Sequence, residues 1–354
     1  MQSLHRTVPE SPSMNYARPE PIAPRLLAEE AALAPTAAPI CAFLGWPVVT
    51  DPKLWTAQAA VLGMQHSEPY AGDPRPNDQA RAPDAVRLVS AQISYGPEQW
   101  DFDLNAPLSA LAPAHCVDAG NVAWVDGSYD AYASAASARL RHLWRSGAQV
   151  FVIGGDHGVT IPAIDALNAI GEPVYVVHVD AHLDWREEVG GITRGYSSPL
   201  RWASTRPWIL GMTQIGMRAT GSARRGEVEA AKLYGSRIFT AGEVHAHGLD
   251  PVLASVPTDA PVYVTIDADG MDPTEMPGVM SPAPGGLRYD QVAPFLRTLA
   301  QRHRIVGLDV VEIAPRFDSP NAITCIMAGR LIVNVLGASW GPGGSYHERR
   351  SGAG

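Results

Sequence analysis

The chain has 354 residues, of which 46% are hydrophobic and 18% are charged, and its formal net charge is -9 at pH 7. That length allows one large domain or two ordinary ones with a sizeable buried core. The acidic balance, without a long run of Lys or Arg, argues against a dedicated binder of nucleic acid or anionic membranes. We find no run of about 18 apolar residues of the kind that spans a membrane, and we therefore expect a soluble globular protein.

The cysteines and the N-terminal residues indicate a cellular location. Cys41, Cys116 and Cys325 are far apart and odd in number, and they predict neither a disulfide framework nor a zinc site. Residues 1–25 lack the apolar segment of a secretory signal. A cytoplasmic location is therefore expected.

The first predicted element is an N-terminal arm. Residues 1–40 are rich in Pro and Ala, and we expect them to form an arm, with a short helix near Arg25–Leu33, that packs on a neighbouring subunit. Residues 41–345 are predicted to form a single domain, followed by a flexible tail at 346–354.

From Ala42 onward, short apolar runs alternate with helical patterns. Buried strands are predicted at VLGM (61–64), HCV (115–117), QVFVIGG (149–155), VYVVHVDAH (174–182), WILGMTQIGM (208–217), VYVTIDADG (262–270) and RIVGLDVVEI (304–313). Helices are predicted at Ser128–Ser146, Ser222–Leu233, Tyr289–Arg302 and Ala328–Leu336. Runs that are apolar on both faces are typical of a parallel sheet covered by helices on both sides. The alternation predicts a three-layer α/β/α fold with a central, mostly parallel sheet.

Polar residues collect just beyond the predicted strands, where chemistry is located in such sheets. The run QVFVIGG leads into Asp156 and His157. Its two glycines allow a sharp turn that brings His157 over the sheet edge. Alone, this motif also fits a phosphate-binding turn or a helix N-cap.

The next strand end carries three ionisable groups. Asp180, His182 and Asp184 are spaced by two residues, so on an extended chain they point to one face. Such a group is costly to bury unless a cation neutralises it. The apolar run before it argues against a solvated edge strand. His178 lies deeper on that face and is interpreted as a packed structural histidine.

The strand VYVTID repeats this pattern. Asp267 and Asp269 lie on one face, and Asp272 is placed to cap the following turn. A calcium loop is the alternative, but the glycine and the distal glutamate of an EF-hand are missing.

Together these strand ends offer two histidines and four aspartates. Six side chains exceed what one ion needs, and they suit two divalent ions that share bridging carboxylates. A donor set rich in carboxylate and free of thiolate favours Mn²⁺, with Ni²⁺ or Co²⁺ open. Glu312, at the end of a fourth strand, either binds a cationic substrate group or forms an N-cap salt bridge.

These motifs resemble those of the ureohydrolase family, which contains arginases, agmatinases and related hydrolases of guanidino compounds. GGDH (154–157), DAHLD (180–184) and TIDADGMDP (265–273) stand in the family's order, and PAPGGL (282–287) and DVVEIAP (309–315) match in register. The resemblance covers roughly residues 58–340, including QARAPDAVR (79–87). It implies an arginase-like fold, a single catalytic domain over residues 41–345, and hydrolysis of a C–N bond in a linear amidine.

The resemblance also implies a role for each site residue. One metal ion would be held by His157, Asp180, Asp184 and Asp267, and the other by Asp180, His182, Asp267 and Asp269. Asp180 and Asp267 would bridge the two ions, and water activated between them would attack the guanidinium carbon. Asp184 would accept a hydrogen bond from that water and pass on its proton, while Glu312 would pair with the guanidinium nitrogens.

Departures from the family pattern bear on the substrate. Arginases hold the amino-acid end of arginine with an Asn-containing loop, but residues 185–199 (WREEVGGITRGYSSP) contain no Asn. Arginine is therefore not expected. The family's proton-shuttling histidine is replaced by Tyr196, and a phenol, with an ordinary pKa of about 10, is a poorer shuttle than an imidazole. The segment 278–282 (GVMSP) is also more apolar than the family's turn.

Aromatic residues in this region predict the character of the substrate. Tyr196 and Trp185 are expected to form walls that contact a cation through their rings, whereas Trp202 and Trp208 are expected to pack under the loop. We therefore expect a small or alkylated guanidine or biguanide (guanidine, dimethylguanidine or metformin), hydrolysed to a urea or guanylurea and an amine. Agmatinase or guanidinobutyrase activity is the alternative. A second is a subunit of a heteromeric ureohydrolase that needs a homologous partner, and by analogy a homohexamer or a hetero-oligomer is expected.

Overall fold

The computed structural model describes residues 33–71, 77–94, 96–123 and 128–349. Most of the predicted arm, with the helix expected near Arg25–Leu33, lies outside the described residues. The described part of the arm packs on its own chain: Thr36 Oγ1 donates a hydrogen bond to the Ala119 carbonyl over 2.6 Å, and Ala37 forms an antiparallel bridge with Asn121.

The described residues form an eight-stranded parallel sheet and a two-stranded hairpin. The strands are β1 (Ala59–Gln65), β2 (Trp100–Asp101), β3 (Ala106–Pro107), β4 (Cys116–Ala123), β5 (Gln149–Ile153), β6 (Val174–Val179), β7 (Ile209–Met217), β8 (Arg237–Thr240), β9 (Val262–Asp267) and β10 (Ile305–Val311). The large sheet has the order β4-β1-β5-β10-β9-β6-β7-β8, and β2 pairs with β3.

Helices cover both faces of the sheet. They are α1 (Ala82–Ser94), α2 (Leu108–Leu111), α3 (Tyr129–Arg145), α4 (Thr160–Ala166), α5 (Pro199–Ala203), α6 (Arg225–Tyr234), α7 (Ala241–His247), α8 (Asp250–Leu253), α9 (Tyr289–Arg302) and α10 (Ile323–Trp340). The sheet divides the core in two: in β1, Val61 packs with the cluster under α1, α9 and α10, whereas Leu62 packs with the cluster under α3 and α4. The predicted three-layer α/β/α fold is confirmed.

The predicted strands all occur in the large sheet, but its strand β8 was missed, as were the two short strands of the hairpin. β8 pairs only with β7 at the sheet edge, and Arg237 and Thr240 at its two ends are exposed. An edge strand of four residues with polar ends carries little apolar signal, which explains why sequence patterns did not reveal it.

The helix α10 differs from two expectations. It extends beyond the predicted Ala328–Leu336 at both ends. We expected no segment long and apolar enough to span a membrane, but by length and composition α10 is such a segment. However, 83% of this helix is buried inside the protein. It is therefore the central core helix on its face of the sheet.

The C-terminal boundary also needs correction. Tyr346 is only 2% exposed, its ring stacks on Trp340 at 4.9 Å, and its hydroxyl donates to the Ile305 carbonyl over 3.2 Å. The flexible tail predicted at 346–354 therefore starts too early, because Tyr346 belongs to the core. Residues 350–354 lie outside the described residues.

The strand order explains how distant motifs meet. After β5 the chain continues to β6 and leaves room for two strands, which β9 and β10 later fill. The four central strands β5, β10, β9 and β6 are fully buried and end at the same edge of the sheet. Parallel strands place the residues that follow them side by side at that edge.

Candidate metal centre

The first group of ionisable side chains gathers around His157. Its Nδ1 atom lies 2.8 Å from Asp184 Oδ2, 3.2 Å from Asp267 Oδ2 and 3.4 Å from Asp180 Oδ2. All four side chains are buried. The structure thus brings together four donors from the ends of β5, β6 and β9.

A second group adjoins the first. His182 Nδ1 lies 3.1 Å from Asp269 Oδ2 and 3.5 Å from Asp180 Oδ1. Asp180 therefore faces His157 with one oxygen and His182 with the other. That is the position of a carboxylate shared by two neighbouring cations.

The GGDH motif is explained by close packing and by a cap. A Cβ atom on Gly155 would lie 1.7 Å from the His66 carbonyl oxygen, so only glycine fits there. Asp156 accepts hydrogen bonds from the Gly158 and Glu68 amides, over 2.9 and 2.6 Å. Asp156 is thus the N-cap of the short helical turn at His157–Val159. Of Asp156 and His157, only His157 contacts the two groups of ionisable side chains described above, which together are called the cluster below.

A hydroxyl sets the orientation of the His157 ring. Thr265 Oγ1 lies 3.0 Å from His157 Nε2. If Nε2 carries the proton and donates a hydrogen bond to Thr265, the lone pair of Nδ1 is free to coordinate a cation. Partners of this kind fix the tautomer of metal-binding histidines.

His178 has a more specific place than a packed structural histidine. It is fully buried, and its Nε2 lies 2.7 Å from Asp180 Oδ2 while its Nδ1 lies 3.1 Å from Gln214 Nε2. Because Gln214 can only donate there, His178 donates to Asp180. Burial alone would raise the pKa of Asp180, but His178 and His157 hold that pKa below its usual range.

Two site carboxylates sit on strained backbone. Asp184 has a φ of 50° and Glu312 a φ of 64°, in the left-handed region that costs non-glycine residues about 1–3 kcal/mol each. The surrounding hydrogen bonds hold both turns: the Asp184 carbonyl accepts from Leu200 N over 3.2 Å, and Glu312 N donates to the Gly155 carbonyl over 2.8 Å.

Electrostatics show that the carboxylates repel one another. Burial, with the charge of Asp180 nearby, raises the pKa of Asp269 to about 6. Burial and the neighbouring Asp269 also raise the pKa of Asp267, and burial and Asp180 raise that of Asp184. So many buried anions need positive charge to balance them.

The pKa values of the two histidines are raised as well, because the nearby carboxylates favour the charged imidazolium form. Burial would lower the pKa of His182, but Asp269 raises it to about 10. Burial would likewise lower the pKa of His157, and Asp184 reverses this. Moreover, His157 Nδ1 and Asp184 Oδ2 are buried without a hydrogen-bond partner. These orphaned atoms, within a set of oxygen and imidazole donors, fit a pair of divalent cations.

Glu312 stands beside this cluster. Its Oε1 accepts from the His157 amide over 2.7 Å, and its Oε2 accepts from Gln79 Nε2. Burial, with the charge of Asp156, raises the pKa of Glu312 to about 8. The carboxylate thus accepts a hydrogen bond from the first amide of the turn at His157–Val159, and it also lines the cavity over the cluster.

That cavity has a volume of about 540 Å³. Its wall includes Tyr196 and also Tyr70, which sequence reasoning missed. The two rings lie 4.2 Å apart between centroids, and the Tyr70 hydroxyl accepts from Ser197 N over 3.1 Å. Tyr70 follows β1 outside any motif, so no sequence signal placed it here.

The prediction for Trp185 is wrong. Trp185 is only 1% exposed, packs 5.7 Å from the Tyr234 ring, and does not line the cavity. Trp185 thus belongs to the hydrophobic core on the α3 and α4 side of the sheet. Trp202 and Trp208 pack as predicted, with indole N–H groups donating to Asp165 and to the Ile164 carbonyl.

The segment 278–282 also differs from expectation. Val279 and Met280 are buried, and the cavity wall is formed instead by Ser281 and Pro282. The apolar residues of this segment therefore contribute to the core.

Arg218 is a further residue that sequence reasoning missed. It follows β7, and its Nη2 donates to the carbonyls of Asp269 and Ala283 over 2.6 and 2.7 Å. Nη1 reaches the Gly270 carbonyl over 3.1 Å. One guanidinium thus ties the loop after β9 to the cavity wall. An arginine directly after an apolar strand was its only signal.

Comparisons with known proteins agree with this geometry. A family model described as the Arginase family matches residues 57–337. An N(1)-aminopropylagmatine ureohydrolase of Thermus thermophilus is 32% identical over 73% of this chain and 83% of its own length. An agmatinase of Chromobacterium violaceum is 31% identical over 72% and 76%.

Solved structures show the same similarity. The proclavaminate amidino hydrolase of Streptomyces clavuligerus superposes with a TM-score of 0.70 at 30% identity, over 86% of this chain and 98% of that chain. The formimidoylglutamase of Bacillus subtilis superposes with a TM-score of 0.72 at 18% identity, over 84% and 91%. The second similarity concerns the fold alone.

Proposed function

This chain belongs to the arginase family and is a hydrolase of amidino C–N bonds. Within that family, we propose that its substrate is a small or alkylated guanidine rather than arginine. The products would be a urea, or guanylurea from a biguanide, and an amine. The observation that carries the substrate proposal is the composition of the cavity wall.

The chemistry follows from the site residues. Two divalent cations, of which Mn²⁺ suits the donors best and Ni²⁺ is the alternative, would be held by His157, Asp180, His182, Asp184, Asp267 and Asp269. When bound, they supply Lewis-acid activation of water. Glu312 binds the guanidinium and orients its carbon over the cluster. The Asp184 carboxylate accepts the proton that the attacking water releases and gives it up again as the C–N bond breaks and the amine leaves.

The cavity wall away from the cluster carries little net charge in the described part of the chain. Arg186 is the charged side chain there, and its Nε lies 3.1 Å from a Glu227 carboxylate oxygen while its Nη1 donates to the Ser222 carbonyl over 3.1 Å. Arg186 is thus already neutralised and is a poor partner for a carboxylate tail. The described wall likewise offers an ammonium tail no carboxylate outside the cluster and Glu312.

The aromatic pair supports an uncharged substituent. Tyr70 and Tyr196 place two ring systems on the cavity wall. Rings favour alkyl groups and the faces of delocalised cations. Guanidine, N,N-dimethylguanidine and metformin have this character.

Agmatine is the second candidate, because several relatives at 31% identity are named agmatinase. Its aliphatic chain would cross the aromatic wall and leave its ammonium at the cavity mouth. 4-Guanidinobutyrate would place a carboxylate there instead, close to Arg186. Because Glu227 already balances the charge of Arg186, this contact adds little support for that substrate.

The test is product release from a substrate panel. The purified chain would be loaded separately with Mn²⁺ and Ni²⁺ and given guanidine, N,N-dimethylguanidine, metformin, agmatine, 4-guanidinobutyrate and arginine, with urea, guanylurea and amine measured. Turnover highest on one of the first three supports the proposal, and turnover highest on agmatine or 4-guanidinobutyrate overturns it. Two bound metal ions without turnover would overturn activity of the isolated chain and favour a hetero-oligomer with a homologous subunit over a homohexamer.

A further inference from the structure

Gln79 is a buried polar residue that the proposed chemistry has not used. Its side chain is only 2% exposed, and it lies just before α1, 233 positions away from Glu312 in sequence. Its Nε2 donates a hydrogen bond to Glu312 Oε2. A buried amide placed against a site carboxylate requires an explanation.

The amide of Gln79 is held by a chain of directed hydrogen bonds. Asn77 Nδ2 donates to Ser67 Oγ over 2.5 Å, and Ser67 Oγ donates to Gln79 Oε1 over 3.1 Å. Because the oxygen of the Gln79 amide accepts from Ser67, its nitrogen is the atom that faces Glu312. These hydrogen bonds all run in one direction, and the chain ends at the carboxylate.

The surrounding backbone is fixed as well. Gln79 N donates to Asn77 Oδ1 over 2.9 Å, and Asp78 Oδ2 accepts from Arg316 N over 3.0 Å. The second contact joins the segment before α1 to the segment that follows Glu312. Gln79 and Glu312 are therefore held in register by more than their own hydrogen bond.

The lone pairs of Glu312 decide what this arrangement does. A carboxylate has two oxygens, each able to accept about two hydrogen bonds. Oε1 uses one site on the His157 amide, and Oε2 uses one on Gln79. Each oxygen thus keeps one site, and the two remaining sites suit a planar pair of N–H donors.

We propose that Gln79 is a positioning residue that holds the Glu312 carboxylate in the plane needed for a two-point contact with the substrate guanidinium. This inference rests on the proposed role of Glu312. Without the Gln79 donor, only the His157 amide restrains rotation of the carboxylate about its last side-chain bond, and the second oxygen is no longer held in that plane.

The test compares Gln79→Met with Gln149→Met. Methionine has nearly the length of glutamine and donates no hydrogen bond. Gln149 is equally buried but donates to the Ile305 carbonyl and Ser339 Oγ at the opposite end of β5. The two substitutions thus remove a buried amide at the site and away from it. Metal content and thermal midpoint would be measured for both.

For Gln79→Met in the metal-loaded protein, we expect kcat/KM to fall about 10- to 100-fold, with two metal ions still bound. We expect Gln149→Met to lower the thermal midpoint and to keep the wild-type kcat/KM. Equal losses in the two variants, or wild-type kcat/KM in Gln79→Met, would overturn the inference.

A double-mutant cycle separates positioning from general structural damage. If Gln79 acts through Glu312, adding Gln79→Met to Glu312→Gln should cause little further loss of kcat/KM. Losses that multiply would show that Gln79 acts by another route and would overturn the inference.

An equilibrium measurement keeps the inference separate from the proposed function. Acetamidinium has the same planar pair of N–H donors, and its binding to metal-loaded protein can be followed by calorimetry. Weaker binding to Gln79→Met than to wild type supports the inference even if no guanidine on the panel is hydrolysed. Equal binding to both overturns it even if the wild type is active, and no binding to either overturns it too.

Discussion

The metal cluster and the cavity wall above it are built in different ways. The cluster residues follow buried strands at the centre of the sheet, and their side chains have partners behind them, such as Thr265 behind His157 and His178 behind Asp180. The wall is built from loops after β1, β6, β7 and β9. In this wall the rings of Tyr70 and Tyr196 contact each other, with 4.2 Å between their centroids.

This difference separates the reaction from its selectivity. Strand ends in a packed sheet hold charged groups in place against their mutual repulsion, because the backbone beneath them is fully hydrogen-bonded. Loops exchange residues without disturbing that frame. Substitutions in the cluster should therefore remove activity on every substrate, whereas substitutions in the wall should change the ranking of substrates.

The largest effect is expected from Asp267→Asn. Asp267 Oδ2 lies 3.2 Å from His157 Nδ1, and an amide there lacks the charge with which this carboxylate would hold the proposed cations. We expect metal content to fall below two ions per chain and kcat/KM to fall by about 1,000-fold or more on all substrates. Elemental analysis and kinetics would measure both. Asp272→Asn is the control, since Asp272 caps the next turn through Thr274 N, and it should keep both ions.

Glu312→Gln is expected to have the next largest effect. The amide keeps the shape but loses the charge that binds the guanidinium, so we expect kcat/KM to fall about 100-fold while metal content stays at two. Loss of metal in this variant would mean that Glu312 belongs to the cluster and would blur the separation between metal binding and substrate binding.

Thr265→Val tests the support behind the cluster. Valine keeps the volume but removes the partner of His157 Nε2. We expect metal affinity to weaken about 10- to 100-fold, measured by competition with a chelator, with turnover recovering at saturating metal. Unchanged affinity would show that packing alone orients the histidine.

The smallest effect is expected from Tyr70→Ala in the wall. Loss of the ring should lower kcat/KM for an alkylated guanidine about fivefold, or ~1 kcal/mol, with less change for guanidine itself and none in metal content. Tyr70→Phe, which keeps the ring and loses only the hydroxyl contact with Ser197 N, should retain the wild-type ranking. Equal losses on both substrates would contradict a selective role for the wall.

Local sequence patterns predicted seven of the eight strands of the large sheet and brought forward six candidate ligands. The spacing of Asp180, His182 and Asp184 places them on one face, because the side chains of an extended chain alternate. The apolar runs before them predict burial, and burial of charges predicts cations. Each of these inferences uses residues that are neighbours in sequence.

The same patterns failed for the orientation of one side chain. Trp185 was expected to line the cavity because aromatic residues crowd that region of the sequence. Its indole instead packs in the core, directly after Asp184, whose φ lies in the left-handed region. Aspartate adopts that region more often than most residues, but the residue type alone does not specify the turn.

The sequence by itself determined the layered fold, the family and the six candidate ligands, because these depend on regularities within short stretches of chain. Only the tertiary structure decided that the Tyr70 ring contacts the Tyr196 ring, that Arg218 ties two loops and that Gln79 meets Glu312. Those contacts join residues from 51 to 233 positions apart. Such pairings depend on how the strands are ordered in the sheet, which no single stretch of sequence encodes.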